Sequence, residues 1–103
     1  MALSVKTDNP SGLLSSIKKA IDDNVVATWS YDKDGDFTHT PDQWRNKAWL
    51  RPKIETGELR FVIIEPKDTT ITKMVSGIYQ GRFIEMLTSH FDTKFSTATA
   101  TIP

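Results

Sequence analysis

The densest grouping of residues able to bind a charged or aromatic ligand lies between positions 44 and 53. The run Trp44-Arg45-Asn46-Lys47-Ala48-Trp49-Leu50-Arg51-Pro52-Lys53 holds four basic residues, two tryptophans and no acid. On an extended strand, side chains alternate between faces. That alternation places Lys47, Trp49, Arg51 and Lys53 on one face and Ala48, Leu50, Pro52 and Ile54 on the other. An aromatic ring among cations suits single-stranded nucleic acid, because the charges neutralise phosphates while a base stacks on the ring. The same composition also describes an ordinary edge strand. Lysine and arginine stems cover tryptophan there, and the charges discourage edge-to-edge aggregation. Tyr79 lies in a later helical stretch where Tyr79, Phe83, Ile84 and Met86 cover more than one face, so it belongs either to a broad core-facing stripe or, as the binding reading takes it, to an exposed patch with Trp44 and Trp49. Together with Arg45 and Arg51 these aromatics are the residue types that dominate protein-binding hot spots.

Two other groupings could carry chemistry. Asp32-Lys33-Asp34-Gly35-Asp36 alternates carboxylates around a glycine, as the start of a calcium loop does. The spacing does not fit, because the glycine is fourth rather than sixth and the twelfth position is Gln43 rather than glutamate. A solvated hairpin turn accounts for the same residues. His39 and His90 lie near Asp42, Glu65, Glu85 and Asp92 in the chain, and a histidine beside a carboxylate is the usual acid or base of a small enzyme. Their spacing matches no catalytic or metal motif, and His90 also suits the last turn of a helix, where a cation opposes the dipole. The chain has no cysteine, no glycine-rich phosphate loop and no serine elbow, so no motif implies a cofactor or metal.

These residues must be positioned by elements whose signals are local. Asn9 as cap, Pro10 at the first helical position and Leu13, Leu14, Ile17, Ala20 and Ile21 on one face predict a helix over 10–23. Val25 to Tyr31 reads as a strand, 32–36 as a turn and Phe37 to Thr40 as a short returning strand. Residues 41–46 read as a loop containing a single helical turn. Runs 47–54 and 59–65 flank Thr56-Gly57 and predict a hairpin. Pro52 puts an unpaired edge on the first run, while the second is apolar on both faces and therefore central. From Thr70 to Phe91, Ile71, Met74, Val75, Ile78, Phe83, Met86, Leu87 and Phe91 recur at helical spacing. Asp68, Thr69 and Thr70 are the available caps, and Gly77 and Gly81 mark either close packing or a break. Arg82 and Glu85 are spaced to pair on that helix. Residues 97–103 form a closing strand or a flexible tail, and 1–8 read as flexible.

The order α-β-β-β-β-α-β predicts an α+β two-layer sandwich. It comprises two helices on one face of a mainly antiparallel sheet of four to five strands, as a single domain spanning 1–103. Thirteen basic residues balance thirteen acidic ones, and a net charge of zero differs from that of a dedicated nucleic-acid binder. Charge is segregated, however: six aspartates against one lysine over 21–42 precede the basic run. The longest apolar run, Phe61-Val62-Ile63-Ile64, is too short to cross a membrane, and the N-terminus lacks a secretion signal. A cytoplasmic location is therefore expected, with no membrane partner. The expected function is a non-catalytic protein-interaction module that binds a protein partner or a second copy of itself. It would use Trp44, Arg45, Lys47, Trp49, Arg51, Lys53 and Tyr79. The alternative is single-stranded nucleic-acid binding through 44–53, with a histidine-based enzyme as a third reading.

Overall fold

A computed structural model describes residues 1–102. Its elements in chain order are β1 (Ala2–Lys6), α1 (Pro10–Asp22), β2 (Trp29–Tyr31), β3 (Phe37–His39), β4 (Trp49–Glu55), β5 (Glu58–Ile64), α2 (Lys73–His90) and β6 (Thr97–Thr101). The strands form one antiparallel sheet in the order β2-β3-β4-β5-β1-β6, with both helices on one face. This is the α+β two-layer architecture expected from the element order, with six strands instead of four to five. No helix of the described residues is long and apolar enough to cross a membrane.

The additional strand comes from the N-terminus, which is not flexible over residues 2–6. β1 lies between β5 and β6 and pairs with both along its length, and Leu3 and Val5 are fully buried beneath the helices. Alternation over Leu3 and Val5 is too short to predict a strand alone, and its stability comes from two non-local partners. β6 supplies the second partner, so Thr97 to Thr101 form a closing strand, while Pro103 lies outside the described residues.

Local signals set the remaining elements closely. The Asn9 side chain accepts a hydrogen bond from the Gly12 N–H at 3.1 Å, capping α1, whose Leu13 and Ile17 are buried. β2 is shorter than the apolar run that predicted it, because the chain turns at Asn24 (φ +60°) and leaves Val25 60% exposed. The β4–β5 hairpin turns at Thr56-Gly57, with Gly57 at φ +74° where glycine is favoured. β5 is central as expected. β4 pairs with β3 only at Leu50 opposite Phe37, so its far edge is unpaired where Pro52 sits.

Helix α2 begins at Lys73, later than the spacing predicts, and Thr72, not Asp68, Thr69 or Thr70, caps it by accepting from the Val75 N–H at 3.2 Å. Its covered face also differs from the expected stripe. Ser76, Tyr79, Gln80, Phe83, Met86 and Leu87 are buried, whereas Met74 is 69% exposed. The helix runs unbroken through Gly77 and Gly81, both exposed with open space around them, so neither a break nor a close approach explains them. Phe83 sits at the centre of the core, its ring 4.6 Å from Phe61, 4.9 Å from Trp29 and 5.8 Å from Phe37. Each such side chain contributes about 1.5–3 kcal/mol by leaving water.

Candidate interaction surface

The sheet's second face carries no helix, and the ladders fix which residues share it. Trp49 lies opposite Ile64. Arg51 lies opposite Val62, which faces Ala2. Lys53 lies opposite Arg60, whose neighbour across β1 is Ser4, followed by Thr99 on β6. Glu55 lies opposite Glu58, which faces Lys6 and then Thr97. The alternate residues Leu50, Leu59, Phe61, Leu3 and Val5 are fully buried on the helix side. Period-two alternation therefore places Trp49, Arg51 and Lys53 on one open face, as the sequence predicts.

Electrostatics divide this face into zones. The Arg51 guanidinium donates to both oxygens of Asp36, from Nε at 3.0 Å and from Nη2 at 2.9 Å, which strengthens its hold on its proton. Asp36 is only 5% exposed, so Arg51 serves first to neutralise a buried carboxylate. Glu58 accepts from the Ser4 hydroxyl at 2.6 Å and from Lys6 Nζ at 3.1 Å. Those bonds, Ser4 foremost, hold its carboxyl below the usual range. Lys53 and Arg60 remain. They are exposed, sit directly opposite one another and make no ion pair among the described residues. Like charges in that position cost stability. Glu58, two residues along β5, feels the Arg60 charge, but its hydrogen bonds go to Ser4 and Lys6. On the same face, Trp49, Ile64 and Val62 are half-buried and contiguous by register.

Other residues expected at the site lie elsewhere. Lys47 precedes β4 and is exposed on the β3–β4 loop with Arg45, whose Nε donates to the Thr40 carbonyl at 3.1 Å. That loop contains the expected single turn, with the Trp44 and Arg45 N–H groups both donating to the Pro41 carbonyl. Trp44 is half-buried against the core rather than exposed as an anchor. Tyr79 is fully buried, which removes it from any surface. Its hydroxyl donates to the Trp44 carbonyl and lies 3.0 Å from Thr38 Oγ1, so it ties α2 to the β3–β4 loop. The phenol faces inward because two polar partners await it inside. Arg60 belongs to the site, and its signal was available: a two-residue turn at Thr56-Gly57 sets Lys53 opposite it.

The alternative chemistries have ordinary structural settings. Asp32 Oδ1 accepts from the Asp34 N–H at 2.9 Å and the Asp36 N–H at 3.0 Å, shaping a turn whose Gly35 has φ +83°. Among the described residues no cluster of three metal-ligating side chains occurs. His39 is buried, lies against Trp29 with ring centroids 4.5 Å apart and shares a hydrogen bond between Nδ1 and the Thr28 carbonyl at 2.7 Å. Burial pushes its pKa down, favouring the neutral ring. No side-chain carboxylate bonds to it among the described residues. His90 is exposed in the last turn of α2, the position its sequence context predicts. Arg82 and Glu85 approach to 3.8 Å on the exposed side of α2.

Comparison with protein-family models, with curated proteins and with solved structures gives no match.

Proposed function

We propose that this chain is a non-catalytic protein-interaction module that docks a protein partner on the helix-free face of its sheet. Trp49, Val62 and Ile64 form the apolar centre of that surface, and Lys53 and Arg60 are the cations beside it. The observation that carries this reading is the juxtaposition itself: a half-buried aromatic and two aliphatic side chains share a face with a like-charge pair that makes no ion pair among the described residues. Fold stability alone favours an opposite charge at 53 or 60. A partner presenting an apolar side chain flanked by carboxylates satisfies both halves of the surface. Aromatic and arginine anchors of this kind dominate interface energetics.

Single-stranded nucleic acid is the second reading, and the Lys53–Arg60 pair about 13 Å along the same face from Trp49 is what favours it, since phosphates would neutralise the pair and a base would stack on the ring. The two readings part on salt. Phosphate contacts make affinity fall steeply with ionic strength, whereas an apolar protein interface responds little. The test compares wild type with a folded Trp49→Ala/Lys53→Glu variant, by partner capture and by anisotropy of a labelled single-stranded oligonucleotide at low and high salt. Salt-resistant protein capture that the variant loses supports docking. Salt-sensitive oligonucleotide binding lost in the variant transfers the surface to nucleic acid, and capture unaffected by the variant removes this face as the site.

A further inference from the structure

The two edges of the sheet differ in how they are protected. β2 is three residues long, and the Tyr31 hydroxyl donates to Asp22 at 2.8 Å beside the charged turn that follows. β6, Thr97-Ala98-Thr99-Ala100-Thr101, has no charge, no proline and an unbroken register with β1, and Thr99, Ala100 and Thr101 are exposed. Charge, proline and bulges are devices by which natural edges avoid pairing, and Thr97–Thr101 shows none of them.

The ladder shows which backbone groups this edge presents. The bonds from the Thr7 N–H to the Gly57 carbonyl and from the Ile63 N–H to the Met1 carbonyl assign the odd-numbered residues of β1 to β5. The even-numbered residues Ala2, Ser4 and Lys6 therefore turn toward β6, where they oppose Thr101, Thr99 and Thr97. It follows that the N–H and C=O groups of Ala98 and Ala100 point away from the sheet.

The side chains are a palindrome about Thr99. A two-fold axis through that residue places Thr99 opposite Thr99, Thr97 opposite Thr101 and Ala98 opposite Ala100 of a second copy. The Ala98–Ala100 pairings are then the hydrogen-bonded ones, so every outward N–H and C=O of those two residues finds a partner. Thr99 forms the closer, non-hydrogen-bonded pair at the axis. Such a contact is self-complementary, as a two-fold interface requires.

We infer that β6 is a homotypic pairing edge through which two copies of this chain join antiparallel, forming one continuous twelve-stranded sheet. The axis runs perpendicular to the sheet, so all four helices lie on one side and both helix-free faces on the other. This inference rests on the edge and not on the docking surface proposed above.

The absence of cysteine makes the register directly testable. Under oxidised glutathione, Thr99→Cys joins its counterpart as a disulfide, because paired Cα atoms at the axis fall near the lower end of the permitted range of about 4.4–6.8 Å. Thr97→Cys does not, since four residues of offset separate the two sulfurs by about 13 Å. Sedimentation equilibrium up to about 1 mM chain reads the association itself. Ala100→Pro removes an outward N–H that the β1–β6 ladder does not use, and Thr99→Lys sets two cations face to face. Each weakens the dimer by at least about tenfold while circular dichroism stays native. A monomeric wild type overturns the inference. So does a dimer insensitive to both variants, or cross-linking of Thr97→Cys as readily as Thr99→Cys. A dimer lost in Trp49→Ala but kept in Ala100→Pro assigns association to the sheet face and also overturns it.

Discussion

Replacing Tyr79 with phenylalanine separates a structural role for this residue from a surface role. The ring stays, and with it the edge-on packing against Trp29 at 5.6 Å between centroids, so the apolar burial is unchanged. What leaves is one hydroxyl that donates to the Trp44 carbonyl and sits 3.0 Å from Thr38 Oγ1. Thr38 keeps its bond to the Ala48 carbonyl at 3.1 Å and still accepts from the Asn46 N–H at 3.2 Å, and the Trp44 carbonyl keeps the Lys47 N–H at 3.2 Å, so no group is left wholly unpaired. A lost internal hydrogen bond costs about 0.5–1.5 kcal/mol net, and a buried acceptor left without a partner costs about 1–3 kcal/mol. Because both former partners stay hydrogen-bonded, the first figure applies, and we expect a loss of about 0.5–1.5 kcal/mol out of the roughly 5–15 kcal/mol available to a small domain. Urea unfolding followed by tryptophan fluorescence reads this as a lower midpoint with unchanged slope. Amide exchange reads the local consequence: the Asn46 and Lys47 N–H groups, which bond to Thr38 Oγ1 and the Trp44 carbonyl, exchange faster than amides of β5. A stability change below about 0.3 kcal/mol with unaltered loop exchange would refute the account, because an exposed tyrosine tolerates loss of its hydroxyl at no cost.

Leu87→Ala, at a fully buried site on α2, is expected to cost about 2–5 kcal/mol by chemical denaturation; a negligible loss contradicts the packing of α2 on the sheet. Lys53→Glu replaces the like-charge pair with Arg60 by an opposite pair, so thermal melts should show a gain of about 0.2–1 kcal/mol alongside loss of partner binding. The folded-state pKa of His39 is lowered, so its contribution is present above the unfolded value of about 6.5 and is lost as pH falls through that value toward the folded one. Stability measured from pH 7.5 downward should therefore decline, and His39→Gln should flatten that part of the profile. Arg51→Met leaves the buried Asp36 carboxylate without its counter-ion and should lower the urea midpoint, with Asp36→Asn in the same chain restoring part of the loss.

The candidate face was partly legible because alternation is a property of the extended backbone alone. Once 49–55 is a strand, Trp49, Arg51 and Lys53 must share a side, and a two-residue turn at Thr56-Gly57 must bring Arg60 opposite Lys53. Tyr79 was misplaced because helical periodicity says which residues share a face but not which face is covered. The apolar residues of α2 surround the helix broadly, and its buried side includes Ser76 and Gln80 while Met74 is exposed. Polar partners at Thr38 and Trp44, more than thirty positions distant in the chain, decided which side turned inward.

The α1 cap, the turns, the hairpin register and the α+β class were determined by the sequence itself, since each depends on residues within a few positions of one another: Asn9 with Gly12, Asp32 with Asp36, Thr56 with Gly57. Tertiary structure alone decided the interior position of β1, the order of the six strands, the bare face of the sheet and the exposed edge at β6. Those features depend on pairings such as Lys6 with Thr97 and Leu3 with Phe61, which join distant parts of the chain. A strand as short as β1 has too few local contacts to offset its own ordering entropy, so its structure is fixed by the two strands that enclose it.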